Sequence, residues 1–179
     1  MSINNSIDIN IDLYNKQSYQ NVIFNLSKSI SLIFEKLLFF KSKNVLNLDF
    51  VEKETIFDIK KIPNMSIDNY IKRIVKYSKP EPQSLISALI YIDKICEKEK
   101  IFITKVNVYK LVLICIMISI KYNEDDINSN AFFAKVGGID LENLNQIENK
   151  TYEILNYDLY IDDNLYQKYE DNLSLFMSE

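Results

Sequence analysis

The run Asn107-Val-Tyr-Lys-Leu-Val-Leu-Ile-Cys-Ile-Met-Ile-Ser-Ile-Lys121 is apolar on nearly every side and holds no glycine or proline. A helix of that kind has no polar face to offer water, so other elements or lipid must wrap it. The unbroken apolar part extends only from Leu111 to Ile120, between Lys110 and Lys121, whereas a membrane span needs about 20 apolar residues. Protein must therefore do the wrapping. With Thr104 as its expected cap, the helix runs to about Tyr122, roughly 27 Å at 1.5 Å per residue.

Flanking segments supply what such a helix needs, one apolar face each. Residues 1–17 alternate Asn, Ile, Asp and Ser without sustained period and read as a flexible tail. From Ser18 to about Lys41, Val22, Ile23, Leu26, Ile30, Ile33, Phe34, Leu37 and Leu38 recur at helical spacing, giving an N-terminal amphipathic helix over 18–43. A connector follows, with short apolar pairs (Val45-Leu46, Phe50-Val51, Ile56-Phe57), room for one short helix, and Pro63 near its end. Ser66 is placed to cap a helix over Ile67–Tyr77, with Met65 and Tyr70 positioned as a hydrophobic staple. Lys79-Pro-Glu-Pro82 stops it and pre-sets the next, Gln83–Lys98, whose stripe is Leu85, Ala88, Leu89, Ile92, Ile95 and Cys96.

Beyond the central helix comes an acidic polar loop over 123–130, then a short apolar turn, Ala131-Phe-Phe-Ala-Lys-Val136. Gly137 and Gly138, the only two glycines in the chain, close it as a helix stop, since glycine enters positive φ without a Cβ clash. Asp140 caps a helix with Leu141, Leu144, Ile147, Thr151, Ile154 and Leu155 inward. A last helix over 162–176 carries Leu165, Tyr166, Tyr169, Leu173 and Phe176. With only 2 Gly and 3 Pro in 179 residues, an all-α architecture is the expectation.

Composition narrows the chemistry. There is no histidine, which removes the commonest general base and the usual zinc ligand. No nucleophile can be paired with a base, so the chain is not expected to be an enzyme, and no cofactor or metal is expected. The Gly-Gly pair lacks the following Gly-Lys-Ser/Thr of a phosphate loop, and Glu124-Asp-Asp126 lacks the spacing of a calcium loop, so it reads as a solvated run. A net charge of −4 and a pI near 5.0 argue against nucleic acid. Neither membrane binding nor a small-molecule ligand is indicated; protein partners are. The opening residues lack the apolar core of a signal peptide, so an intracellular place, cytoplasmic or nuclear, is expected. Cys96 and Cys115, inside apolar helical patterns, read as buried free thiols.

Four charges sit beside apolar stripes: Arg73, Asp93, Lys121 and Glu148. Taken with Ile62-Pro-Asn-Met-Ser-Ile-Asp-Asn-Tyr-Ile-Lys-Arg-Ile-Val-Lys-Tyr77, Ala88-Leu-Ile-Tyr-Ile-Asp-Lys94, Asn107-Val-Tyr-Lys-Leu111, Phe133-Ala-Lys-Val-Gly-Gly-Ile-Asp-Leu141 and Leu144-Asn-Gln-Ile-Glu148, they resemble a cyclin box. More narrowly, the chain resembles the P/U-type cyclins related to the yeast phosphate-response cyclin, in order from about Phe57 to Tyr160. The resemblance implies a cyclin fold, a five-helix box within 44–160 around the central helix, with flanking helices before it and over 161–179. It implies a structural ion pair between Arg73 and Asp93, and kinase-binding roles for Lys121 and Glu148. The implied function is that of a regulatory subunit that binds and activates a cyclin-dependent serine/threonine kinase as a heterodimer, in the cell cycle or another pathway. The alternative is a kinase-independent helical scaffold using the same fold. Tyr109 stands where the family usually has histidine, Lys94 and Lys110 stand for arginines, and the Met-Arg-Ala-Ile-Leu docking patch of cell-cycle cyclins is not reproduced.

Overall fold

The computed structural model describes residues 3–44 and 54–178, with side chains over 17–40 and 54–175. The described residues form seven helices and no strand: α1 (Ile3–Asn44), α2 (Ile67–Ser78), α3 (Pro82–Glu99), α4 (Val108–Asn123), α5 (Asn130–Gly137), α6 (Leu141–Ile154) and α7 (Asp163–Ser178). Helix α4 is the expected centre. Except for half-exposed Lys110, every residue from Val108 to Ile120 is buried. Its neighbours are α2, α3, α5 and α6, so α2 to α6 make the five-helix body. Helices α1 and α7 pack on each other and on α3.

Helix α3 differs from its sequence pattern in an informative way. Its expected stripe is buried, with Cys96 partly so, but Ser84, Ile86, Ser87, Ile90 and Tyr91 are buried as well. Helix α3 packs on α1, α4, α6 and α7 at once, with Leu89 and Ile92 of the expected stripe beside Phe34 of α1 and Leu173 of α7 and the Tyr91 hydroxyl donating to Leu159 O, so more than one face is covered, which a single-stripe reading does not anticipate.

Local signals hold at most termini. Ser66, Ser129 and Asp140 cap α2, α5 and α6 by accepting from Asn69, Phe132 and Asn143 backbone N–H groups. Thr104 acts one step earlier than expected. Its hydroxyl accepts from Val106 N–H and its carbonyl from Asn107 and Val108, so it builds the turn that leads into α4, whose N-cap is Asn107.

Several expectations are corrected. Helix α1 begins at Ile3, not Ser18, so 3–17 is not a tail. That stretch contains neither glycine nor proline, and extending an existing helix adds about one hydrogen bond per residue fixed. On α1, Ile23, Leu26, Ile30 and Phe34 are buried, whereas Val22 and Leu37 face outward. The segment 131–136 is part of helix α5, and Leu141 is exposed while the remainder of its stripe is buried. The described part of the connector, 54–66, forms turns and extended chain without a helix. It is pinned by buried Phe57, by Ile59 N–H donating to Val106 O at 2.8 Å, and by Lys110 Nζ donating to Ile56 O and Asp58 O at 3.2 and 2.8 Å. The pairs Val45-Leu46 and Phe50-Val51 lie outside the described residues, as does the Phe176 side chain.

The glycines serve two different needs. Gly138, at φ 69°, is the left-handed C-cap of α5. Gly137 is the last residue of the helix, and a Cβ there would clash with a methyl carbon of buried Leu113. Close approach to α4, not positive φ, demands glycine at 137. Both cysteines are free, and burial pushes the Cys96 thiol up to about 11 and Cys115 well above its ordinary value, which keeps both unreactive.

Candidate functional site

Lys121 lies in the last turn of α4, where a cation complements the helix dipole. Glu148 lies mid-way along α6 on the edge of its inner stripe and is only 7% exposed. Packing of α4 on α6 brings them together: Lys121 Nζ donates to Glu148 Oε1 at 2.6 Å. A buried carboxylate needs more than one partner to offset lost hydration, and Glu148 has two further donors. Asn130 Nδ2 reaches Oε2 at 2.6 Å, and the Tyr152 hydroxyl reaches Oε1 at 3.3 Å. Asn130 completes the network by accepting from Lys121 Nζ and donating to Asn145 Oδ1 at 2.7 Å. Burial, followed by the Glu148 charge and its hydrogen bond, pushes the Tyr152 phenol up to about 12.

The network therefore joins the end of α4, the start of α5 and the middle of α6. Sequence reasoning missed Asn130, and with it Tyr152 and Asn145. An asparagine after a polar loop carries no local signal, and only the fold shows that the first residue of α5 lands between the two charges. Exposed apolar side chains come from the same elements: Tyr122 (51% exposed) follows Lys121, Ile127 (46%) sits in the α4–α5 loop, and Leu141 (41%) opens α6. Within that loop, Glu124 is half-buried instead of solvated. Its carboxylate accepts from Glu81 N–H and the Ser84 hydroxyl, capping α3.

Arg73 and Asp93 do not pair, which corrects the expectation for them. Arg73 Nη2 donates to Lys135 O at 3.2 Å, tying α2 to the last turn of α5, and Tyr70 OH adds a second tie to Gly137 O at 3.1 Å. Asp93 accepts from Tyr169 OH at 2.6 Å, tying α3 to α7. The two residues project from different sides of the five-helix body, each towards its own neighbour. The substitutions noted in the sequence are likewise accommodated by carbonyl acceptors: Tyr109 OH donates to Met65 O at 2.7 Å and Lys94 Nζ to Tyr160 O at 3.2 Å. Among the described residues no cluster of acidic or cysteine side chains is arranged to hold a metal, and no helix is long and apolar enough to cross a membrane.

Residues 14–159 match the family model described as Cyclin. The chain is 31% identical over 157 residues to cyclin-U2-1 of Arabidopsis thaliana, covering 87% of this chain and 71% of that protein. It is 37% identical over 118 residues to cyclin-U2-2 of the same plant, covering 65% and 51%. To cyclin-P3-1 of Oryza sativa subsp. japonica it is 32% identical over 111 residues, covering 62% and 47%. The chain thus spans between about half and seven tenths of the length of these curated relatives.

Proposed function

Because the chain belongs to the cyclin family and to its P/U-type branch, we propose that it is a non-catalytic regulatory subunit that binds and activates a cyclin-dependent serine/threonine kinase. The observation that carries this reading is the Lys121–Glu148–Asn130 network set at the end of the central helix, with Tyr122, Ile127 and Leu141 exposed on the same elements. An interface of this type has apolar anchors around fixed polar groups. Lys121 and Glu148 are held by each other before any partner arrives, so little ordering is left to be done on binding.

Activation follows from selective binding. A protein kinase transfers phosphate only when its C-helix Glu pairs with its strand Lys. A cyclin that binds only that arrangement shifts the population towards it. Moving the equilibrium from 1:99 to 99:1 takes about 5.5 kcal/mol of differential affinity, which an interface of about 1,600 Å² is able to supply when its anchors are well formed.

The charges themselves allow a clean test. Exchanging them, Lys121→Glu with Glu148→Lys, keeps an internal ion pair of opposite direction while reversing the charge pattern presented at the edge. The variant is expected to fold, by circular dichroism and thermal melting, and to lose the kinase that the native chain retains in affinity purification from cell extract, together with the phosphotransfer activity. Equal recovery of one set of partners by both proteins, with no kinase among them, would instead favour a kinase-independent scaffold.

A further inference from the structure

A second concave surface lies between α2 and α5, about 690 Å³ in volume, and the proposed kinase edge does not use it. Its walls carry four cations, Lys72, Arg73, Lys76 and Lys135, together with the aromatic rings of Tyr77 and Phe132. In a chain whose net charge is −4, four cations around one cleft depart sharply from the average surface. Neutralisation within the cleft is slight. Asp68 takes Lys72 at 2.8 Å in an exposed i,i+4 pair, which water screens to a few tenths of a kcal/mol, about 0.3 to 0.5. Arg73 gives one N–H to Lys135 O, out of the five that a guanidinium owns. Lys76 lies 5.8 Å from the centre of the Tyr77 ring, and no hydrogen bond or ion pair is found for the Lys135 ammonium among the described residues.

The bound backbone tie between Arg73 and α5 makes this more than a scatter of surface lysines. It anchors the guanidinium to the last turn of α5 at the wall of the cleft, and the planar fork of an arginine suits bidentate recognition of a carboxylate or phosphate. Tyr77 is exposed and Phe132 partly so, which gives an incoming chain an apolar wall to lie on between the charges.

We propose that the α2–α5 cleft docks an acidic peptide segment of another protein, one bearing aspartate, glutamate or phosphoserine beside an apolar residue. Charge complementarity selects an anion, and the shape selects a peptide. The cations line a concavity, which a flat bilayer surface cannot enter. The overall negative charge of the chain opposes a long polyanion such as nucleic acid beyond the few positions that the cleft contacts. The cleft belongs to this chain alone, so the proposal stands apart from the kinase reading, and either is able to fail without the other.

The test is fluorescence anisotropy of the full chain, without any kinase, against a dye-labelled peptide in which phosphoserine and glutamate flank a leucine. A thymidine oligonucleotide of similar charge is measured in parallel. The expected result is saturable one-to-one binding of the peptide that weakens with added salt, with amide shifts in NMR spectra confined to α2 and α5. The double variant Lys72→Glu, Lys76→Glu changes two exposed side chains and should melt as the native chain does while losing at least about tenfold in affinity, roughly 1.4 kcal/mol. Absence of saturable binding, equal affinity in the double variant, or tighter binding of the oligonucleotide than of the peptide would each overturn the proposal.

Discussion

Two pairs of opposite charges stand at comparable positions beside inner helical stripes, yet only one pair meets. Lys121 and Glu148 lie on α4 and α6, which pack directly, and their contact at 2.6 Å is shielded from water on the carboxylate side. Arg73 and Asp93 lie on α2 and α3, which are consecutive in the chain, yet each turns to a different neighbour, α5 for the arginine and α7 for the aspartate. Adjacency in sequence does not decide which charges pair. What decides is which third element fills the space beside each one, and α5 and α7 bring acceptors and donors that satisfy Arg73 and Asp93 separately.

The largest effect that would sharpen this contrast is expected at Lys121. Lys121→Met leaves the buried Glu148 carboxylate with two neutral donors in place of a cation. Removing one partner of a fully buried pair costs about 3 to 5 kcal/mol. Because the Lys121 side chain is 24% exposed, a loss near the lower bound, about 3 kcal/mol, is expected in urea denaturation. Adding Glu148→Leu should recover much of it, since then no charge is stranded. A loss below about 0.5 kcal/mol in the single variant would mean that solvent already carries the carboxylate.

Next in size is the seat of α5, which serves both regions. Its first residue, Asn130, bridges Lys121 and Glu148, and its last turn accepts from Arg73 and Tyr70. Gly137→Ala places a methyl against Leu113, and overpacking of this kind costs about 1 to 3 kcal/mol. Gly138→Ala meets no atom within 4 Å and pays only for its left-handed backbone at φ 69°, about 1 kcal/mol. Thermal melts of the two variants should rank in that order. The reverse order would return both glycines to one shared role as a helix stop.

These positions also mark how far the sequence could be read. The buried α4 and the caps at Ser66 and Asp140 were legible, because each is encoded locally; Lys121 and Glu148 were singled out through the resemblance, but not as partners of each other, and the Ser129 cap was not foreseen. Asn130, the second buried face of α3, the partners of Arg73 and Asp93, and the contact of Gly137 with Leu113 were not legible. Each of those depends on an element distant in sequence, and helical periodicity reports that a face is buried without reporting what covers it. The α2–α5 cleft belongs with them, since Lys72 and Lys76 recur in α2 as ordinary surface charges until Lys135 and Phe132 are brought opposite.

A double-mutant cycle tests the split pair directly. Arg73→Ala removes a hydrogen bond to a carbonyl and Asp93→Ala removes the acceptor of Tyr169, each worth about 1 kcal/mol. With no shared partner the two losses should add within about 0.5 kcal/mol. The corresponding cycle on Lys121 and Glu148 should show coupling above about 1 kcal/mol. Coupling of similar size in both cycles would mean that Arg73 and Asp93 communicate after all, and the contrast would collapse.

The smallest expected effect lies at Tyr152, on the rim of the paired region. Its phenol is pushed up to about 12, first by burial, then by the Glu148 charge, then by its hydrogen bond to that carboxylate. An unfolded tyrosine ionises near about 10, so the fold holds this proton more tightly than the unfolded chain does. The stability linked to it is complete below about pH 10 and is lost as pH rises through about 12. Tyr152→Phe gives up the hydrogen bond to Glu148 and should also flatten the alkaline limb of a stability profile between those values. Glu148→Gln removes the charge, leaves burial and offers only a neutral amide oxygen as acceptor, so the phenol should titrate earlier than in the native chain, yet still later than a free tyrosine, when followed by the ultraviolet absorbance of tyrosinate. If Glu148→Gln left the titration unchanged, the carboxylate would not act on Tyr152, and the paired region would reduce to Lys121, Asn130 and Glu148 alone.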